Sequence, residues 1–201
     1  EDKCSIRKFK KCPCRAFAWR SGSVYGDRDK VIYGVPYIID NVGEIKYKVH
    51  YKSFYQVNPY TTKLLYEKAL ELAGLDKGKT VFDLYCGTGS ISLFLAQKAQ
   101  KVVGIEIVED AVKNAKENAE LNNITNTDFY CGPAEDVAPK LIRSGEKADV
   151  VVLDPPRKGC EEKLLSSISD MKPERIVYVS CDPATMARDA KYLCQNGYIL
   201  K

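Results

Sequence analysis

Histidine is almost missing from this chain: His50 is the only one in 201 residues. It lies in a strand-like stretch ahead of every motif described below and reads as a structural residue. The chemistry must therefore come from other side chains. Long apolar runs are also missing. None approaches the roughly 20 residues of a membrane-crossing helix, so no helical span is expected. The opening residues Glu1-Asp2-Lys3-Cys4 do not resemble a secretory signal, and a cytoplasmic location is expected. No internal repeat or low-complexity tract is evident, which sets aside solenoids and arrays. Cysteine is plentiful, but a disulfide framework is not. Cys4, Cys12, Cys14, Cys86, Cys131, Cys160, Cys181 and Cys194 are scattered and read as reduced thiols. Cys12-Pro13-Cys14 with Cys4 upstream lacks a clear fourth ligand, so no metal is assigned.

What is present suits one soluble domain with a small appendage. Hydrophobic residues make up 45% and charged residues 29% of the chain, enough to bury a core. The formal net charge of +4 is unevenly spread. Residues 1–59 hold 12 Lys and Arg against 6 Asp and Glu. In that stretch Arg7, Lys8, Lys10, Lys11, Arg15 and Arg20 alternate with Phe9, Phe17 and Trp19. The mixture suits phosphate contact with base stacking, or simply a solvated face.

Two regions are expected. Residues 1–58 read as a basic, β-rich segment, with short strands such as 31–39 and turns at Gly26-Asp27 and Asn41-Val42-Gly43. Residues 59–201 alternate helix and strand. Helices are expected over 60–73 (Leu65, Ala69 and Leu72 inward), 90–98, 109–121 (Val112, Ala115 and Ala119 inward), 134–143, 161–171 and 184–195. Strands are expected over 80–84, 101–105, 128–131, 148–153 and 175–180, with another beginning at Tyr198-Ile199-Leu200. This alternation gives an α/β fold, a doubly wound and mainly parallel sheet. Ligands of such sheets bind at the carboxyl ends of the strands.

Three motifs fall at those ends. Asp83-Leu84-Tyr85-Cys86-Gly87-Thr88-Gly89-Ser90 joins the first strand of the sheet to its helix. Gly87 and Gly89 allow a sharp turn and close approach of a ligand. The third glycine of a dinucleotide fingerprint is missing. Glu106 ends the second strand, where a carboxylate can accept both hydroxyls of a ribose. Loop and carboxylate together fit an adenosyl ligand without a pyrophosphate. Asp154-Pro155-Pro156-Arg157-Lys158-Gly159 follows the fourth strand. Two prolines force the chain out of the sheet and fix Asp154 at the cleft, with Arg157 and Lys158 available for phosphate. Val179-Ser180-Cys181-Asp182-Pro183 then sets a cysteine between a strand end and a helix capped by Asp182 and opened by Pro183. The helix dipole there favours thiolate. By position alone, Cys181 is either a nucleophile or a packed structural thiol. Cys86 and Cys160 read as packing residues. Glu135 and Asp136 read as acidic residues at a helix N-terminus.

Taken together, the glycine loop, Glu106, Asp154-Pro155-Pro156-Arg157-Lys158-Gly159 and Ser180-Cys181-Asp182-Pro183-Ala184-Thr185-Met186-Ala187-Arg188-Asp189 resemble the RNA uracil-C5 methyltransferases. Ser53-Phe54-Tyr55-Gln56-Val57-Asn58 is similar to that family's motif ahead of its catalytic domain. The resemblance covers roughly residues 31–201. It implies a Rossmann-like S-adenosylmethionine-dependent methyltransferase domain that makes 5-methyluridine in tRNA or rRNA. It implies Cys181 as the nucleophile that adds to C6 of the uracil. It implies cofactor contacts at Gln56, Tyr85, Gly87, Gly89, Glu106 and Asp154. Substrate contacts are implied at Asp154, Arg157, Lys158 and Arg188, with Ser180 and Asp182 shaping the pocket. RNA is the implied partner, its target base unstacked, and no protein partner or membrane is indicated. The family's proton-removing acidic residue has no matching motif in this chain. The domain also reads as lacking its last strands, and residues 1–30 do not match the family well.

Two other readings stay open on the residues. One is a binding module that holds cofactor or RNA without turnover. The other is an amino-group methyltransferase, although its Pro-Pro loop is usually followed by an aromatic residue and here Arg157 follows. Missing the third glycine, an NAD-linked oxidoreductase fits worst.

Overall fold

The computed structural model describes residues 33–50, 53–56 and 58–201. The basic aromatic segment, Cys4, Cys12, Cys14, the Gly26-Asp27 turn, Val31 and Ile32 lie outside the described residues.

The described chain begins with an antiparallel hairpin, β1 (Tyr37–Val42) and β2 (Ile45–His50). Its turn is Gly43-Glu44, and Gly43 adopts φ +61°. This corrects the expected turn at residues 41–43. Val42 is a buried strand residue paired with Ile45, because its side chain is worth more in the core than at a turn. The strand expected over 31–39 likewise starts only at Tyr37 and runs on to Val42.

Helix α1 (Pro59–Ala73) follows, capped by Asn58, which accepts from the N–H groups of Tyr60 and Thr61. Gly74 closes it at φ +55°. The inward face is Thr62, Tyr66, Ala69 and Ala73. Leu72, expected to point inward, is half exposed and Leu65 only partly buried. The face is set by the large Tyr66, which lies against Phe94, and the apolar residues beside it are carried outward.

The remaining elements alternate as expected: β3 (Thr80–Asp83), α2 (Ser90–Ala96), β4 (Lys101–Glu106), α3 (Glu109–Leu121), β5 (Thr127–Cys131), α4 (Ala134–Arg143), β6 (Val150–Leu153), α5 (Glu162–Met171), β7 (Arg175–Tyr178) and α6 (Pro183–Gln195). All five strands are parallel, in the order β5-β4-β3-β6-β7. Successive strand residues face opposite layers, as the pleat requires. Val81, Val102, Val150 and Val152 pack with the hairpin, α1, α2 and α3. Phe82, Val103, Val151 and Leu153 pack with residues of α4, α5 and α6. This two-sided burial explains the unbroken Val150-Val151-Val152-Leu153 run. Each such side chain contributes roughly 1.5–3 kcal/mol.

The residues expected to start a further strand, Tyr198-Ile199-Leu200, form none. The N–H of Tyr198 returns to the Leu193 carbonyl and its hydroxyl donates to the Pro173 carbonyl. Those bonds tie Tyr198 to the end of α6 and to the residues just ahead of β7. Among the described residues, no helix is long and apolar enough to cross a membrane.

Gly104 shows how tight the sheet is. A Cβ there would sit 2.5 Å from Cδ1 of the Phe129 ring. Gly104→Ala is therefore expected to cost about 1–3 kcal/mol by overpacking, read as a lower midpoint in urea unfolding. A midpoint unchanged from wild type would show that the ring yields freely.

Candidate active site

The sheet reverses its winding between β3 and β6, so the crevice at a switch point opens above those two strands. The first strand-end loop follows β3. Gly87 (φ +54°) and Gly89 (φ +78°) take the left-handed conformation that glycine adopts without strain. A Cβ on Gly87 would meet nothing within 4 Å, whereas one on Gly89 would press on Ala115 and Phe129. Gly87 thus faces open space where a ligand can approach, and Gly89 permits helix packing. Tyr85 is half-buried in the same loop.

Glu106 ends β4 beside this loop. Its Oε2 accepts from the Gly87 N–H at 3.1 Å and its Oε1 from the Val108 N–H at 3.0 Å. The backbone therefore aims the carboxylate along the rim of the glycine loop.

Asp83 was quoted in the sequence motif without a role, yet it is the most constrained group here. It is fully buried. Oδ2 accepts from the Ser92 hydroxyl at 2.6 Å, while Oδ1 has no hydrogen-bond partner. Burial, helped by the neighbouring charges of Asp154 and Glu106, pushes its carboxyl up to about 7. Asp154, the first residue beyond β6, is pushed up to about 6 by burial. A carboxyl whose native pKa is raised holds its proton more tightly when folded. Its proton-linked stabilisation is present below the unfolded value of 3.8 and is lost as pH rises through 6 and 7. A cationic ligand beside these carboxylates would reverse that penalty.

Gln56 lies two residues ahead of the α1 cap, half-buried. The hydroxyl of Tyr66, midway along α1, donates to Ser90 Oγ at 2.9 Å, while Arg175 at the start of β7 reaches the Leu72 carbonyl near the helix end. The N-terminus of α1, and Gln56 with it, therefore stands on the carboxyl side of the sheet. The hairpin supports the glycine loop from outside. Tyr47 donates to the Ser90 carbonyl at 2.8 Å. Asn118 of α3 accepts from the Lys48 N–H and donates to the Thr88 carbonyl.

The second strand-end loop runs from Asp154 to Cys160, and the third carries Cys181. Leu153 pairs with Tyr178, and the Val179 N–H donates to the Leu153 carbonyl at 2.8 Å. Asp154 and the Ser180-Cys181 turn therefore leave neighbouring strands side by side, roughly 5 Å apart. Cys181 is exposed. Asp182 caps α6 as expected, accepting from the N–H groups of Ala184 and Thr185. Ser180 donates to the Asp182 carbonyl and accepts from the Asp182 N–H, which fixes the turn under the thiol.

Of the cations expected to meet substrate, Arg157 is exposed beside this loop. Lys158 is exposed and pairs with Glu161 at 2.8 Å. Arg188 is committed within the protein, donating to Asp189, the Lys158 carbonyl and the Cys160 carbonyl. Cys86 and Cys160 are buried, and burial pushes the Cys160 thiol up to about 11. Glu135 and Asp136 lie in the first turn of α4, Asp136 paired with Lys163. Sequence reasoning did not single out Asp83 and Asp189, the buried carboxylates beside these loops. The one available signal was their place inside motifs whose other members had roles.

The residues present fit an adenosyl cofactor carrying positive charge. A buried carboxylate oxygen lacks a partner, Gly87 leaves room, and Glu106 is held at the second strand end. Among the solved structures similar to this chain is a tRNA (uracil-54, C5)-methyltransferase of Pyrococcus abyssi in complex with S-adenosyl-L-homocysteine. It is 33% identical, covers 87% of this chain and 42% of its own, and superposes with a TM-score of 0.74. Trm5b of the same organism, 19% identical with a TM-score of 0.64, shares the fold. Uncharacterized RNA methyltransferases of Bacillus cereus and Clostridium tetani are 58% and 54% identical over 89% of this chain. The chain spans 39% of the length of those curated relatives. Residues 28–200 match the family described as tRNA (Uracil-5-)-methyltransferase, and the chain belongs to that family.

Proposed function

We propose that this chain is the cofactor- and nucleophile-bearing part of an RNA methyltransferase that modifies C5 of a uridine in tRNA or rRNA. The observation that carries the reading is the side-by-side exit of the Asp154 loop and the Cys181 turn, next to a glycine loop ringed by carboxylates. S-adenosylmethionine, when bound, supplies an electrophilic methyl carbon on a sulfonium. Glu106 would accept from its ribose hydroxyls, and Asp83 and Asp154 would face its positive groups. Gln56 and Tyr85 would line the same pocket.

Uracil C5 is a poor nucleophile. In the proposed step the Cys181 thiolate adds to C6, forming an S–C6 bond and pushing the C5–C6 electron pair onto O4 as an enolate. The pair returns through C5 to the methyl carbon as the methyl–sulfur bond would break, its electrons staying on sulfur so that S-adenosylhomocysteine leaves as the neutral thioether. A base, which no motif in this chain supplies, then takes the C5 proton, the C5–C6 double bond re-forms and the S–C6 bond breaks to release the Cys181 thiolate. Asp154 is placed to contact the uracil edge, and Arg157 and Lys158 the backbone phosphates.

The test is covalent trapping. RNA carrying 5-fluorouridine has fluorine where the departing proton should be, so addition proceeds and elimination stalls. Chain plus cofactor plus this RNA should give a species that survives denaturation, with the summed mass of protein, RNA and methyl group. Cofactor binding without any adduct would instead support the binding-module reading.

The carboxylates predict a pH dependence. Between about pH 5 and pH 8, cofactor affinity should rise as Asp154 and then Asp83 ionise. Near pH 6.5, binding should release protons, seen in calorimetry as a heat that changes with the ionisation enthalpy of the buffer. Heats identical in all buffers would show that neither carboxyl changes its protonation on binding.

A further inference from the structure

We propose that Asp189 is a positioning residue that locks the helix behind Cys181 to the loop carrying Asp154. The proposal rests on the reading of Cys181 as nucleophile. Asp189 is fully buried on α6, two turns beyond the cysteine. Its carboxylate accepts three hydrogen bonds and one ion pair. Oδ2 accepts from the Cys160 N–H at 2.7 Å and the Tyr178 hydroxyl at 2.6 Å. Oδ1 accepts from Nε of Arg188 at 2.8 Å and lies 2.7 Å from Nη2 of the same guanidinium as an ion pair. Arg188, held in this way, donates through Nη2 to the carbonyls of Lys158 and Cys160. Thr185, one turn earlier on α6, donates to the Arg157 carbonyl at 3.1 Å.

The segment from Arg157 to Cys160 has no sheet ladder of its own. Its hydrogen bonds to the body go mainly to one face of α6, with the Cys160 thiol also donating to the Tyr178 hydroxyl, and they pass through or beside a single carboxylate. Tyr178, at the end of β7, brings the third element to that carboxylate. A buried charge is costly unless paired and fully hydrogen-bonded. Here both oxygens are saturated, and what the charge gains is registry. The cofactor side and the nucleophile side stand on different strands, and an attack geometry tolerates only small misplacement.

Asp189→Asn keeps the size but offers one accepting oxygen to three donors and leaves the Arg188 guanidinium without its countercharge. The NH2 of the amide would also confront donors. The full chain is assayed with cofactor and 5-fluorouridine RNA. For Asp189→Asn, cofactor affinity by calorimetry should stay within about twofold, while the adduct rate at saturating RNA falls about 100-fold. A residue that only supports the fold would lower the melting temperature and leave the saturated adduct rate within about threefold of wild type. That result overturns the proposal. If wild-type chain traps no adduct, the nucleophile reading fails instead, which is a separate outcome. Should Asp189→Asn not fold, Arg188→Lys serves, because that side chain is largely exposed. It removes the ties to Lys158 and Cys160, and a positioning role predicts a lower adduct rate at saturation. A raised RNA requirement with an unchanged saturated rate would mark Arg188 as an RNA contact and overturn the tie.

Discussion

Cys181→Ala is expected to trap no 5-fluorouridine RNA at all and to lose methyl transfer by at least about a thousandfold. Removing a covalent nucleophile costs up to about a millionfold where the group acts inside a preorganised site. The lower bound here reflects that binding and orientation persist. Cys181 is exposed, so the substitution leaves no core cavity. Stability should change by less than about 0.5 kcal/mol, and cofactor affinity should be unaltered. These three readouts separate chemistry from folding. An adduct of undiminished yield in the Ala variant would move the nucleophile elsewhere. Cys160 is a poor substitute, because it is buried and burial holds its thiol up near 11. Cys131 and Cys194 are exposed, but Cys131 ends β5 at the sheet's edge and Cys194 is near the C-terminus of α6.

Much of this was legible because the determinants are local. Strand–helix alternation announced a doubly wound parallel sheet, and Asp182-Pro183 marked the start of α6 where the structure has it. Glycines flagged the first strand-end loop because the left-handed conformation excludes most other residues. Asp83 and Asp189 were not legible as buried groups. A carboxylate in a strand or a helix is by default solvent-facing. Only the arrival of Ser92 nine residues later, or of Cys160 from the loop after β6 and Tyr178 from the end of β7, makes burial possible. The internal ties of Arg188 were hidden for the same reason: its charge marks it for substrate, while the carbonyls it also donates to lie about thirty residues away in sequence. The inward face of α1 failed by competition, since leucine spacing cannot show that Tyr66 holds the interior position. Tyr198-Ile199-Leu200 has a strand's composition, but composition does not supply a ladder partner.

Glycine gives the sharpest second test, because two glycines in left-handed backbone should respond in opposite ways. Gly159 has φ +75°, and a Cβ there would lie 2.5 Å from Arg188 Nη2 and 2.6 Å from Asp189 Oδ2. Neither neighbour can retreat without breaking the hydrogen bonds that meet at Asp189. Left-handed strain of about 1–2 kcal/mol adds to overpacking of about 1–3 kcal/mol. Gly159→Ala should therefore lose about 2–5 kcal/mol, a large share of a typical total of about 5–15 kcal/mol. At about 2–4 °C per kcal/mol for a chain of this size, the melting temperature should fall by roughly 4–20 °C, with adduct formation lost alongside it. Gly87 has φ +54° and nothing within 4 Å of its Cβ position. Gly87→Ala carries only the backbone strain, so its melting temperature should move by a few degrees at most. Its methyl would instead project into the space assigned to the cofactor, and affinity should fall at least tenfold. If both variants lose stability equally and bind cofactor equally, Gly87 does not face the ligand. The cofactor pocket would then have to be sought away from the glycine loop.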